Sequence, residues 1–487
     1  MDPVTFGFIL YLLLILALGF YTSRLTHSMQ DFALGGNRLG PWVIAFSERA
    51  SGESAWLILG LPGAALLSGL LELWTVIGCV SGIIFSWYII ASKLRVASEK
   101  YQALTLPELF ARKYDDGQGA IRIIASLIIT FFFTFYVAAQ FSGAGKVLNV
   151  TFGITHMQGM LLGAVIIVFY TLMGGFLAVA WTDLIQGIIM IGTLVILPLV
   201  ALLEIKALPA IDFALDSSTL FEGKTGLAAV AAAIGGLSWG LGYMGQPHLV
   251  TRYMAIDRVE NIRISRRIAI SWALPAFFGS MFIGLTGHFL LSAGVLSHDG
   301  TLLGSVAALP DPEKLMPIMA QNLLHPWIAG VFISGAIAAM MSTADSQLLV
   351  STTVLTEDLV YNHIAAMREK MDILLMGRIL TITIGLIAFY LAWQSTDLVF
   401  EMVSYAWGGL GASFGPALLL TLWWKKTSKS GVIAGMLTGT FFTVVDVFGQ
   451  WVTARFSAFV IAFLVVILVS YLKPVNKSES DVDSYGS

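Results

Sequence analysis

Cysteine occurs once in 487 residues, at Cys79, which excludes an intrachain disulfide and any cysteine metal cluster. Charge is scarce as well: 12% of the residues are Asp, Glu, Lys or Arg, where a soluble domain carries roughly 25%. The net charge of −3 is too small to select nucleic acid or an acidic partner. There is no phosphate loop of the GxxxxGK type, so ATP is not an evident energy source. The histidines show no metal-ligand spacing, and no nucleophile stands near a base in any recognisable pattern. An enzyme reading therefore has no constellation to rest on. The opening stretch "MDPVTFGFILYLLLILALGFYTS" lacks a basic leader and a small-residue cleavage site, and reads as a retained first span rather than a signal peptide.

What is present is apolar sequence. Hydrophobic residues make up 57% of the chain and the mean hydropathy is +0.83. A spanning helix needs about 20 mainly apolar residues, and the apolar runs predict thirteen spans. They lie near 4–22, 42–70, 74–92, 120–145, 157–179, 183–203, 227–251, 268–293, 326–353, 374–393, 398–423, 431–449 and 454–472. An odd number of spans puts the termini on opposite sides. With the N-terminus outside, 21 Lys and Arg residues, Arg252 among them, fall in cytoplasmic segments, against Lys146, Lys206, Lys224, Lys314 and Arg455 outside. That asymmetry orients the chain in the cell membrane, N-terminus out and C-terminus in. Residues 473–487 form a short polar cytoplasmic tail, expected to be disordered, with no room for a signalling module.

Two spans are interrupted. The second contains "AFSERASGESAWLILGLPG" (45–63), where Glu48, Arg49 and Glu53 bring charge into an apolar run beside Ala50, Ser51 and Gly52. The seventh contains "LSWGLGYMGQPHLV" (237–250), broken by Gly240, Gly242, Gly245 and Pro247. Unwound backbone at membrane depth survives only where it is buried in protein or lines a cavity. The broken spans stand five apart, each opening a block of five, so the second block inserts upside down relative to the first. The expected fold is an all-α polytopic membrane protein with a five-plus-five inverted-repeat core: first repeat 42–203, second repeat 227–423, one extra helix before them (4–22) and two after (431–472). Paired interruptions are the sequence pointer to a transporter's central site.

A charge at the bilayer centre costs roughly 2.5–3.5 kcal/mol on insertion scales, so each buried charge demands an explanation. Arg49 and Glu53 are spaced for an i,i+4 ion pair, which suffices for Arg49. For Glu53 an ion-pair role and a ligand role both stand, its backbone carbonyl being the better ligand for a small hard cation. In "MMSTADSQLL" (340–349), Ser342, Asp345 and Ser346 share a helix face and Thr343 adjoins it. Hydroxyls of transmembrane helices often bond their own i−4 carbonyls, but Asp345 on the same face favours an oxygen site for a cation. Trp239 and Tyr243 flank one break and Trp56 follows the other. Singly each suits ordinary packing; together they suit the wall of a pocket for a small organic solute. Asp183, with Gln186 three residues on, is explained by a helix N-cap. Tyr136 by itself says little.

The stretches "SGLLELWTVIG", "LTLPELFARKYDD", "GGFLAVAWTDLIQ", "WGLGYMGQPHLVTRYMA", "MSTADSQLLVSTTVLTEDL" and "VSYAWGGLGASFGPALLL" together resemble the sodium/solute symporter family, most of all its bacterial proline transporters. The resemblance runs from about Gly7 to about Lys426. It implies a leucine-transporter-like core of thirteen spans and a sodium site formed by the carbonyls of Ala50, Glu53 and Ala339 with the hydroxyls of Ser342 and Thr343. It implies a possible second ion site at Asp183, Ser342, Asp345 and Ser346, and contacts to proline from Trp56, Tyr136, Trp239, Tyr243 and Pro247. There is one departure. Proline transporters read Ala-Ser-Asp-Met-Ser-Gly-Trp where this chain reads Ala50-Ser51-Gly52-Glu53-Ser54-Ala55-Trp56, and they have serine at Asp345. The expectation is that Glu53, Asp345 or both supply the missing negative charge. The implied activity is sodium-coupled import of L-proline by alternating access, the solute's carboxylate lying at a half-helix N-terminus. A sodium- or proton-coupled carrier for another small carboxylate or amino acid is the alternative; a membrane sensor, which the short tail disfavours, comes from a different class. Besides the ion, the solute and lipid, no protein partner is evident and a monomer is expected.

Overall fold

In the computed structural model, residues 2–24, 29–208, 220–361, 373–447, 449 and 453–474 are described. Among them, each of the thirteen predicted spans holds a helix. Helix α1 (Pro3–Ser23) starts where Asp2 accepts from the Thr5 amide at 2.9 Å, and turns Leu10, Leu13 and Leu14 outward. Outward leucines without partners are what lipid accommodates. The polar residues behave the opposite way: Ser47, Glu48, Arg49, Asp183, Arg252, Ser342 and Asp345 are all buried.

The second span is two helices. α2 (Pro41–Gly52) stops where Glu53 takes φ −107° and ψ 28°, and the chain resumes as a π-helical turn over Trp56–Gly60 leading into α3 (Leu61–Ser68). A π-turn widens the backbone and occurs mostly at functional sites. The third span is α4 (Leu73–Phe85), continued by a second π-turn (Ser86–Ile90) into α5 (Ala91–Lys100). Then come α6 (Ala120–Phe152), α7 (His156–Met173) and α8 (Phe176–Ala207). The fifth predicted span, 157–179, ran too far: Gly174 and Gly175 end α7, and 176–179 already belong to α8. The capping box of this region is Thr155 with Gln158, at the start of α7.

The seventh span is interrupted as expected. α9 (Gly226–Leu237) and α10 (Trp239–Gly242) are followed by a break and then α11 (Pro247–Ala255), with a bend of 41°. Proline at the first position of α11 has no N–H to leave unpaired, and so marks the restart. The remaining spans are α12 (Ile262–Ser292), α13 (Pro326–Thr353), α14 (Ile373–Gln394), α15 (Val399–Trp423), α16 (Lys429–Val445) and α17 (Ala454–Leu472). Of the tail predicted over 473–487, residues from Val475 onward lie outside the described residues, as do Arg368 and Lys370, two of the 21 cations counted as cytoplasmic.

Two devices bring the broken spans together. Leu39, just before α2, pairs with Ile256, just after α11, as a parallel bridge, and Asp257 donates its amide to the Leu39 carbonyl at 3.2 Å. On the other side of the breaks, α4 crosses α9 and α10 through glycines spaced four apart. A Cβ on Gly82 would stand 2.3 Å from the Gly240 carbonyl, and one on Gly240 would stand 2.2 Å from that of Gly78. Gly78 and Gly82 thus face Gly236 and Gly240, the small-xxx-small arrangement that lets membrane helices touch backbone to backbone.

Candidate functional site

The breaks at 53–54 and 243–246 face one another, and their aromatic residues fill the space between. Trp56 stacks on Trp239 with centroids 4.6 Å apart and planes 17° apart. Tyr243 meets Trp407 edge-on at 4.7 Å, and Trp407 donates its indole N–H to the Trp239 carbonyl at 2.9 Å. Tyr136 shares a 3.4 Å contact with the Ser54 hydroxyl. Trp56, Tyr136, Trp239 and Tyr243 are all fully buried. A separate small cavity of about 20 Å³, room for a single water, lies where Pro247 and Thr251 meet Leu104, Phe176 and Val354, away from these aromatic residues.

Trp407 and Gln140 were not singled out from the sequence. Gln140 stands one helical turn after Tyr136, and its Oε1 accepts from the Ala55 amide at 3.0 Å. Ser54 Oγ accepts from the Trp56 amide at 3.3 Å. The N-terminus after the first break, expected to offer free N–H groups to a carboxylate, therefore has these two taken by side chains. Identical spacing in "YVAAQ" was the only signal for Gln140.

One side of α2 faces α13. Ser342 donates to the carbonyls of Ala50 at 2.9 Å and Ala339 at 3.0 Å, and Thr343 donates to the Ser51 carbonyl at 2.9 Å. Oxygen atoms from two elements thus converge next to a helix end. Glu53, grouped with them in the sequence analysis, sends its carboxylate elsewhere: it accepts from Arg49 Nη1 at 2.6 Å and faces the Tyr243 hydroxyl at 3.2 Å. The i,i+4 ion pair is present, and the structure adds a second partner. Glu48 forks onto the Arg49 Nε and Nη2 atoms and accepts from Tyr253 at 3.1 Å and Trp87 at 3.2 Å.

Asp183 corrects the helix-cap expectation. α8 begins at Phe176 behind Gly175, so Asp183 lies two turns inside the helix, fully buried. Its Oδ2 accepts from Ser47 at 2.6 Å, Ser51 at 3.0 Å and Arg252 Nη2 at 3.2 Å. Arg252 corrects the cytoplasmic count. It projects from α11 into the protein, 1% exposed, and also donates to Ser346 at 2.6 Å, Ser51 at 2.8 Å, Ser47 at 3.1 Å and the His248 carbonyl at 2.7 Å. Ser51 and Ser346 share a 2.9 Å hydrogen bond, and Ser346 reaches Asp345 Oδ1 at 3.4 Å. The Asp183, Asp345 and Ser346 grouping therefore exists in space, joined by a guanidinium that the charge count had placed outside it. Asp183 Oδ1 and Asp345 Oδ2 are buried with no hydrogen-bond partner. Buried carboxylate oxygens of this kind are suited to a cation.

A model of the sodium:solute symporter family matches residues 32–439. The chain belongs to that family. It is 36% identical over 446 residues to a protein of Staphylococcus saprophyticus named sodium/proline symporter 2, covering 90% of this chain and 84% of that one. It is 34% identical over 495 residues to the sodium/proline symporter of Staphylococcus aureus, covering 97% and 94%. Among solved structures, a Na⁺-coupled sialic acid symporter in a substrate-bound, outward-open state superposes with a TM-score of 0.75 at 17% identity, over 97% of this chain and 98% of that one. A nucleobase-cation-symport-1 family transporter in a closed, ligand-bound conformation gives 0.53 at 13% identity, over 93% and 98%. This symporter is thus an all-α, multi-pass membrane protein with the five-plus-five inverted-repeat core expected from its two interruptions.

Proposed function

We propose that this family member imports L-proline with sodium by alternating access, the solute and the ion meeting between the two breaks. The observation that carries the reading is the convergence of Ser342 with the Ala50 and Ala339 carbonyls, one helical turn from a break whose aromatic residues stack on those of the other. The relatives' name supplies proline as the first solute to test.

In this reading Ala50, Ala339, Ser342 and Thr343 hold sodium, and the carbonyl of Glu53 completes the set. Asp183, Asp345 and Ser346 form a second cation position. The pyrrolidine ring lies against Trp56, Trp239 or Tyr243, with Tyr136 and Pro247 closing the pocket. Because Trp56 and Trp239 stack on one another, the solute enters between them only when the two rings separate. Sodium ties α2 to α13, fixing the first break in the shape the solute needs, so the two ligands bind with positive coupling of about 1–3 kcal/mol. An inside-negative potential adds about 2.3 kcal/mol per charge per 100 mV in favour of entry. One transporter domain spans 1–472, with repeats at 42–203 and 227–423, the N-terminus outside and the C-terminus cytoplasmic.

Reconstituted vesicles test this. Labelled proline should accumulate above equilibrium when an inward sodium gradient is imposed, and not when choline replaces sodium. Accumulation driven by a proton gradient alone would retire the sodium assignment. A second reading, another small zwitterion in place of proline, is favoured by Arg49 and Glu53 at the first break.

A further inference from the structure

The side chains of Glu48, Arg49 and Glu53 form a triad that the sodium set does not use, and Tyr243 of the aromatic wall touches it through Glu53. All three side chains are fully buried. Their formal charges sum to one negative. The two carboxylates are held very differently. Each oxygen of Glu48 takes two donors: Oε1 accepts from Arg49 Nη2 and Tyr253, and Oε2 from Arg49 Nε and Trp87. Glu53 is under-supplied. Its Oε1 accepts from Arg49 Nη1, and both its oxygens compete for the one proton of the Tyr243 hydroxyl. A carboxylate offers about four acceptor sites, so Glu53 has capacity to spare. Glu53 also stands at the break itself, with non-helical φ and ψ, its amide donating the last bond of the helix to the Arg49 carbonyl at 3.0 Å.

The surroundings narrow what can use this. The amides of Ala55 and Trp56 are already occupied by Gln140 and Ser54. Arg252 is committed to Asp183, Ser47, Ser51, Ser346 and the His248 carbonyl. Arg455 lies over the Trp239 ring at 4.5 Å and gives its nitrogens to Ser238, Ser404 and the Gly235 carbonyl. The positive edge that faces the break is Arg49 Nη1, covered now by Glu53 alone.

We infer that the Arg49–Glu53 pair is an exchangeable ion pair that selects a zwitterion: the solute's carboxylate takes the Arg49 Nη1 edge, its ammonium takes Glu53, and Glu48 keeps Arg49 in place. The exchange conserves the number of buried ion pairs. A solute with only one charge would leave either Arg49 or Glu53 buried and unmatched, which is heavily disfavoured. The inference rests on the break being the solute site.

The test is equilibrium binding to the purified full-length protein in nanodiscs with saturating sodium. The probes are L-proline, pyrrolidine (ammonium only) and tetrahydrofuroate (carboxylate only), backed by alanine, taurine and glycine betaine. The pair exchange requires each single-charge analogue to bind about 100-fold or more weakly than the best zwitterion. In Glu53→Gln the zwitterion should weaken about tenfold or more while tetrahydrofuroate does not, because glutamine competes less for Arg49. Glu53→Asp, which keeps the charge, should restore part of the preference and serves if Glu53→Gln does not fold. Parallel losses for zwitterion and carboxylate in these variants would make the triad a structural element and overturn the inference. So would wild-type binding of a single-charge or neutral solute within about threefold of the zwitterions, while leaving the solute site intact. Absence of any sodium-dependent binding across the panel would overturn both the inference and the reading beneath it.

Discussion

Trp56 and Trp239 lie ring on ring, with centroids 4.6 Å apart and planes inclined by 17°. Each sits beside one of the two interruptions, so this single contact joins the halves of the molecule at their weakest backbone. In the proposed reading, a solute with an apolar ring replaces one indole against the other. Trp239→Ala is therefore expected to raise the solute Kd by about tenfold or more, consistent with the roughly 1.5–3 kcal/mol of a buried apolar contact. Sodium affinity measured without solute should change far less. Titrations of each ligand on the same preparation check this, and equal losses would assign Trp239 to packing.

Ser342→Ala and Thr343→Ala should raise the sodium concentration for half-maximal transport by about tenfold each, since a hydrogen bond or ligand to a charged group is worth about 1.5–3 kcal/mol. Ser334→Ala is the control. Its hydroxyl bonds only the Gly330 carbonyl of its own helix at 2.7 Å, and it should leave the sodium dependence unchanged.

Arg252→Gln leaves Asp183 buried without its cation. Removing one partner of a buried pair costs about 3–5 kcal/mol. Asp183→Asn introduced alongside it should recover much of that loss, because the double variant buries no charge. Denaturation of the two single variants and the double variant gives the coupling directly. Additive losses would show that the guanidinium and the carboxylate are not energetically paired.

Gly240→Ala places a methyl group 2.2 Å from the Gly78 carbonyl, where only backbone could move aside. Overpacking of this kind costs about 1–3 kcal/mol or more, and a large loss of folded protein is expected on size exclusion and in thermal melts. Gly192→Ala meets nothing within 4 Å and should be neutral or slightly stabilising.

The helices were legible because lipid imposes long apolar runs, and the breaks because glycine, proline and charge interrupt those runs. The Arg49–Glu53 pair was legible too, being local. What could not be read lies across the fold. Arg252 looked cytoplasmic because it stands one residue beyond the predicted end of the seventh span at 251, and nothing in the neighbouring sequence shows that its side chain turns back to Asp183. Asp183 looked like a cap because Gln186 follows it, whereas Gly174–Gly175 fixes the true start of the helix. Gln140 and Trp407 were hidden among residues of ordinary transmembrane type; their partners, the Ala55 amide and the Trp239 carbonyl, are distant in sequence. The facing glycine pairs at Gly78/Gly82 and Gly236/Gly240 carry a visible spacing, but only the fold shows that they touch.

The most direct measurement is the affinity of the purified protein for labelled L-proline as sodium replaces choline at constant ionic strength and pH. With ion and solute meeting between the two breaks, the Kd falls about tenfold or more across the titration, in keeping with a coupling of 1–3 kcal/mol, and Ser342→Ala shifts that fall to higher sodium. An affinity for proline that is the same in choline as in sodium would contradict the account.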